Sequence, residues 1–259
     1  MRIAVAGKGG AGKTTISATL ARLAARSGVS VVAIDADANP NLGIALGLTP
    51  EAARHLTAIP SASVSRRLGG AGLTQPLQEI LDRYSLPAPD GVRLLSMGAP
   101  AHAEEGCLCS AHAVVSAVID DLGQRPEYLV VVDMEASPEH LSRGTIRHVD
   151  VVCLVAEPYY RSLETVRRMA ALAAELPVAI LVVANKVRSP ADSQAIAEFC
   201  LRHDLNLAGD VPWSDEVAAA DRYRTAVVDW PAAQHVVTAV AALRLGADGL
   251  APSGQRPPA

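Results

Sequence analysis

Aromatic side chains are scarce: one Phe, two Trp and five Tyr make up 3% of the 259 residues. The interior must therefore be packed with Ala, Val and Leu. Cysteine is also sparse, and four residues are too few for the disulfide framework of a small secreted scaffold. No apolar run approaches the ~20 residues needed to span a bilayer. Neither charge sign dominates, and a formal net charge of −4 supplies no general attraction for nucleic acid or an anionic membrane. The first 15 residues run straight into a strand and a glycine loop, without a signal-peptide pattern. These absences point to a cytoplasmic protein that binds neither nucleic acid nor membrane.

Half of the residues are apolar and 19% are charged, the balance of a packed globular chain. Apolar runs alternate with helix-period segments, which predicts a three-layer α/β fold, a mostly parallel central sheet flanked by helices on both faces. Strands are expected at Arg2–Ala6, Ser30–Asp35, Val92–Ser96, Tyr128–Asp133, Val151–Ala156, Val178–Ala184 and Leu205–Pro212. Several are continuous aliphatic runs, such as Leu129–Val132, as strands buried on both faces should be. Helices are expected at Lys13–Ser27, Thr74–Tyr84, Ser110–Leu122, Ser162–Glu175, Pro190–His203 and Ala232–Leu245. Residues 1–250 are expected to form one domain and 251–259 a disordered tail. Within the domain, 51–91 is the variable part. Its first portion, Glu51–Gly72, has no clear period and reads as a helical excursion or a flap.

The stretch Gly7-Lys8-Gly9-Gly10-Ala11-Gly12-Lys13-Thr14-Thr15 satisfies the P-loop pattern GxxxxGK[ST]. Its context fits, because it follows a buried strand and opens a helix. Glycines let the backbone curl so that successive N–H groups, from Gly9 through Thr15, face phosphate oxygens. The helix N-terminus adds a positive dipole end. Lys13 is placed to neutralise the β- and γ-phosphates, and the Thr14 hydroxyl to ligate Mg²⁺. Carboxylates follow two strands, Asp35 and Asp37 after one and Asp133 after another, at the site face of an open α/β sheet. They could equally be loop carboxylates that cap the next helices.

A second lysine early in the loop, Lys8 in KGGxGKTT, resembles the deviant Walker A of the family that contains MinD, ParA and the nitrogenase iron protein. That resemblance implies an ATPase in which Lys8 reaches across a homodimer to the partner's nucleotide. Added positive charge there offsets charge on the transferring phosphoryl group. It also implies that Asp35 lies near the Mg²⁺ shell, that Asp37 positions the attacking water and that Asp133 is the Walker B acid. Asn185 in Asn185-Lys186 resembles the adenine-reading residue of the family, since an amide offers both a donor and an acceptor to the base edge. Arg188 stands where a guanine-selective NKxD motif needs Asp, which argues for ATP/ADP. Pro212 and Trp213 in VPWSDEV match the second base-side loop; Trp213 could instead pack at the sheet edge.

Cys107 and Cys109 form a CxC pair just before a helix. Two thiolates fall short of the four ligands of a closed soft-metal site, and a twofold dimer would supply the other two. Cys153 and Cys200 read as core residues. Here the chain resembles the CooC-type ATPases, accessory proteins of nickel insertion into carbon monoxide dehydrogenase. The matching stretches are DADANPNLGIALG, LLSMGAP…GCLC, DMEASPEHLSRGT, AEPYYRSLETVRR, ANK and VPWSDEVAAADR, spread over most of the chain outside 51–91 and the tail. The resemblance implies that Cys107 and Cys109 hold Ni²⁺ or Zn²⁺ between subunits, that nucleotide drives homodimerisation and that the client is a carbon monoxide dehydrogenase-like enzyme. It makes Glu135–Thr145 switch II, in which Pro138 departs from the expected flexible or aliphatic residue. His112 and His140 are further ligand candidates, although such histidines are more often ordinary surface or helix-end residues.

Two rival readings remain at this level. A nitrogenase-iron-protein-like reductase would hold an iron–sulfur cluster between subunits, but its second cysteine follows the switch II strand, where residues 134–145 contain none. A ParA- or MinD-type positioning ATPase calls for a basic DNA-binding surface or a basic amphipathic C-terminal helix. The expected last helix holds one Arg, and neither positioning role explains the cysteines.

Overall fold

The computed structural model describes residues 1–67, 70–97, 109–135 and 145–245. The strands, in chain order, begin with β1 (Arg2–Gly7) and β2 (Ser30–Ala36). A hairpin of β3 (Val64–Arg67) and β4 (Gly70–Leu73) follows, then β5 (Leu86–Pro87) and β6 (Arg93–Ser96). The remaining strands are β7 (Tyr128–Met134), β8 (Val151–Ala156), β9 (Ala179–Val187) and β10 (Asn206–Pro212). Eight of them form one sheet in the order β10-β9-β8-β1-β7-β2-β6-β5. Every pair in it is parallel except β5 with β6. The helices are α1 (Lys13–Arg26), α2 (Leu42–Ala45), α3 (Pro50–Ala53), α4 (Leu77–Tyr84) and α5 (Cys109–Leu122), then α6 (Tyr160–Ala173), α7 (Pro190–Arg202), α8 (Asp215–Arg222) and α9 (Gln234–Ala241).

Side-chain alternation along the strands explains the three layers. Ile3 and Val5 of β1 point to one face, where they join Ile16 and Ala18 of α1 and Val236 and Val240 of α9. Ala4 and Ala6 point to the other, beneath Val115 and Ile119 of α5, Val166 and Met169 of α6 and Ile196 of α7. Since both faces are covered, the strands need aliphatic residues at every position, and β8 is buried along its whole length.

One charged cluster is built into this packing. Arg22 of α1 is 2% exposed. It donates to the Leu46 carbonyl at 2.5 Å, to Asp90 at 2.5 Å and to Asp229 at 3.0 Å. Arg26, one turn on, pairs with the same two carboxylates. The buried guanidinium thus ties α1 to two loops far apart in sequence.

The stretch Glu51–Gly72, read as a helical excursion or flap, holds among its described residues only short helical turns and part of a β-hairpin. Helix α3 is a single turn, a 3-10 turn spans Ser61–Ser63, and the antiparallel hairpin follows, with Val64 opposite Leu73. Both of these side chains pack on the α5-side core. A second difference is at β9, which runs to Val187 rather than Ala184, so Asn185 and Lys186 sit within a strand. Residues 211–217, expected as a base-side loop, run from the end of β10 into α8. Residues 246–259, including the expected tail, lie outside the described residues.

Candidate nucleotide site

The strands are parallel, so their C-terminal ends share one edge, and strand register decides which residues meet there. Asp35 of β2 and Asp133 of β7 are register partners. Gly7 of β1 pairs with Val155 of β8, and Ala156 pairs with Ala184. The P-loop starts at the centre of this edge. Gly7 has φ 150°, and a Cβ there would lie 2.6 Å from the Val155 carbonyl oxygen, so the close approach of β1 to β8 requires glycine. Gly12 has φ 97°, and its Cβ would run into the Asn185 side-chain amide. The loop closes on itself through Ala11 N–H to the Lys8 carbonyl, 3.1 Å. No side chain caps α1, and its first turn holds no acid, so its N-terminal N–H groups suit an anion.

Lys13, 7% exposed, opens α1. Burial lowers its pKa, and Asp133, Asp37 and Glu135 counter part of that effect. Asp133 accepts from the Thr14 hydroxyl at 2.6 Å and from Ser17 at 3.0 Å. Burial pushes its carboxyl up to about 6, against the pull of those two hydroxyls. Asp35, also buried, is raised to about 7, again chiefly by burial. Its two oxygens accept from the backbone N–H groups of Leu42, at 2.8 Å, and Asp37, at 3.3 Å. Asp35 therefore shapes the loop that presents Asp37, whose own Oδ1 accepts from Asn39 N–H at 2.8 Å. The Met97 N–H donates to the Asp35 carbonyl at 2.8 Å, so the segment that leads to the CxC pair begins on the same strand end.

On the other side of the loop, Asn185 donates to the Ala11 carbonyl at 2.6 Å. A cavity of about 470 Å³ opens beside it, lined by Gly12, Thr15, Asn185, Pro212, Trp213 and Val240 among others. The Arg188 guanidinium lies 3.9 Å from the Trp213 ring centroid. The expected base-side residues therefore meet the P-loop in one cleft. Lys186, at φ 59°, donates to the Gly10 carbonyl at 2.5 Å and pairs with Glu157 at 2.8 Å. Tyr159 donates to the second Glu157 oxygen at 2.7 Å, which raises the pKa of its hydroxyl.

Glu157, Tyr159, Lys186 and Ser17 escaped the sequence reading. A signal was available for the first, because Glu157 follows a buried strand just as Asp133 ends one. Another signal lay in a count: the chain has only three lysines, Lys8, Lys13 and Lys186, among its 23 basic residues, and all three are in this site.

The metal expectation fares differently. Cys107, Pro138 and His140 lie outside the described residues, as does the middle of Glu135–Thr145. Cys109 is the first residue of α5, His112 is buried one turn on, and Cys153 and Cys200 are buried as expected. Among the described residues no group of three or more His, Cys, Asp or Glu could hold a metal ion. Mg²⁺ does not need one, since in nucleotide sites it takes one or two protein oxygens plus phosphates and water. The hard oxygen donors of Thr14 and Asp133, side by side near Lys13, fit that ion.

Among the described residues no helix is long and apolar enough to cross a membrane. The model of the CobQ/CobB/MinD/ParA nucleotide-binding domain matches residues 3–227. The carbon monoxide dehydrogenase accessory protein CooC of Rhodospirillum rubrum is 38% identical over 231 residues, covering 86% of this chain and 87% of its own. An uncharacterised ATP-binding protein of Methanocaldococcus jannaschii is 33% identical over 85% of this chain and 88% of its own. Among solved structures, Pyrococcus horikoshii MinD with Mg-ADP superposes with TM-score 0.70 at 18% identity over 93% of each chain. Aquifex aeolicus MinD gives 0.67 at 18% identity, over 93% of this chain and 95% of its own. These last two speak to the fold. With the motif, the sheet order and the sequence likeness in agreement, the chain belongs to the CobQ/CobB/MinD/ParA family of P-loop nucleotide-binding proteins and is a relative of the carbon monoxide dehydrogenase accessory protein CooC.

Proposed function

We propose that the chain is a slow, Mg²⁺-dependent ATPase whose nucleotide-driven homodimerisation assembles a shared metal site from Cys107 and Cys109 of each copy, for delivery of nickel to a carbon monoxide dehydrogenase-type enzyme. The observation that carries it is the Thr14–Asp133 pair beside Lys13, next to a base-side cavity, in a chain 38% identical to a carbon monoxide dehydrogenase accessory protein. Lys13 and the α1 N-terminus hold the phosphates; Thr14 and Asp133 would hold Mg²⁺, which supplies Lewis-acid charge to the phosphoryl oxygens. Asp37 orients the water. Lys8, brought by the partner, completes charge compensation, so hydrolysis waits for the dimer. Asn185, Pro212 and Trp213 hold the adenine.

Thiolates accept nickel, zinc and iron alike, and the metal here is cargo rather than a fixture. Elemental analysis of protein purified under reducing conditions, with ATP present, tests the reading. One nickel or zinc per two chains, lost in Cys107→Ser while ATP binding persists, is expected. Unchanged metal content in that variant would sink the shared site, and iron with inorganic sulfide would favour the reductase.

A further inference from the structure

Lys8 and Tyr159 follow β1 and β8, neighbouring strands whose ends are in register at Gly7 and Val155. The Lys8 ammonium lies 5.7 Å from the centre of the Tyr159 ring, inside the ~6 Å range over which a cation is attracted to an aromatic face. The ring is held in place. Its hydroxyl donates to Glu157 Oε2 at 2.7 Å, and its backbone N–H donates to the Glu157 carbonyl at 2.8 Å. The Glu157 N–H in turn donates to Ser162 Oγ at 2.9 Å, while Glu157 Oε1 takes Lys186, which also bonds the Gly10 carbonyl. This chain of contacts starts on the P-loop at Lys8 and returns to it at Gly10. A solvated lysine needs no such platform, least of all in a chain this poor in aromatics.

We propose that Tyr159 is a positioning residue for Lys8: it holds the ammonium against its own subunit until nucleotide and a second copy draw it away, and so sets the concentration at which the dimer forms. The proposal rests on the reading that Lys8 serves the partner's nucleotide. A cation on an exposed ring is favoured by about two- to fivefold. Each dimer releases two such lysines, so removing the ring should tighten ATP-dependent dimerisation about five- to thirtyfold.

With three lysines in the chain, lysine-selective ¹³C labelling gives three sets of side-chain signals. In nucleotide-free protein the Lys8 ε-methylene signal, assigned with Lys8→Ala, should be shifted upfield by the ring current. The shift should disappear in Tyr159→Leu and persist in Tyr159→Phe. Sedimentation with Mg²⁺ and a non-hydrolysable ATP analogue should show tighter dimerisation of Tyr159→Leu, with Tyr159→Phe within about twofold of wild type, since it keeps the ring. Nucleotide affinity of the dilute monomer should be equal in all three. An unshifted Lys8 signal, or a Tyr159→Leu dimer no tighter than wild type, overturns the proposal; a weaker one assigns Tyr159 to the interface instead. Undiminished dimerisation of Lys8→Ala would overturn the underlying reading of Lys8, whereas the ring-current result stands or falls without it.

Discussion

At the scale of single residues, the carboxylates at the strand ends lie in opposing influences. Burial lifts Asp133 to about 6 and Asp35 to about 7, from the usual 3.8. The folded chain therefore keeps protons that the unfolded chain releases between those limits. By linkage, these groups favour the fold fully below pH ~3.8 and lose that contribution as pH rises through 6 to 7. In nucleotide-free protein with divalent ions chelated, thermal midpoints should fall from pH 5 to pH 7.5. Asp133→Asn should flatten the slope, and a slope equal to wild type would show that Asp133 is ionised throughout. On the proposed reading that Asp133 holds Mg²⁺, the same substitution should cost at least about a hundredfold in turnover at saturating ATP. Asp35 behaves differently from Asp133, because its oxygens already accept two backbone N–H groups and organise the Asp37 loop. The sequence leaves metal shell and cap open for it, because a carboxylate after a strand looks the same in either role.

Elements were legible in proportion to how completely they are buried. Strands such as β8 stand out because both faces demand aliphatic residues, and the P-loop stands out because phosphate binding fixes its spacing. The β3–β4 hairpin does not, since two four-residue strands, with Val64 and Leu73 packed on the core, are too short to set up a pattern. Nor does the Glu157–Lys186 pair, which joins residues 29 apart through the register of β8 with β9. The Arg22 cluster is likewise non-local, and it ties α1 to the loops at Asp90 and Asp229. Arg22→Ala should cost about 2 kcal/mol in chemical denaturation, below the usual toll for breaking a buried pair, because Arg26 still faces both carboxylates. Hydrolysis per folded molecule should be unchanged. A variant as stable as wild type would mean the cluster is merely tolerated.

For the whole molecule, the proposed need for two copies has a kinetic signature. Specific activity should climb with protein concentration until dimers saturate, and Lys8→Ala should lower the plateau by about a thousandfold, the scale of an arginine finger. Lys13→Ala should abolish hydrolysis at every concentration. Activity independent of dilution would mean that each copy works alone. The P-loop, Asp35, Asp133 and Asn185 sit on one edge of the sheet, because parallel strands end together there. The opposite rim carries connections, among them the exposed turn from Gly123 to Glu127 between α5 and β7. A reporter domain spliced between Gln124 and Arg125 should therefore leave turnover and pairing of copies intact, giving a handle for watching assembly in living cells from the side the reaction ignores.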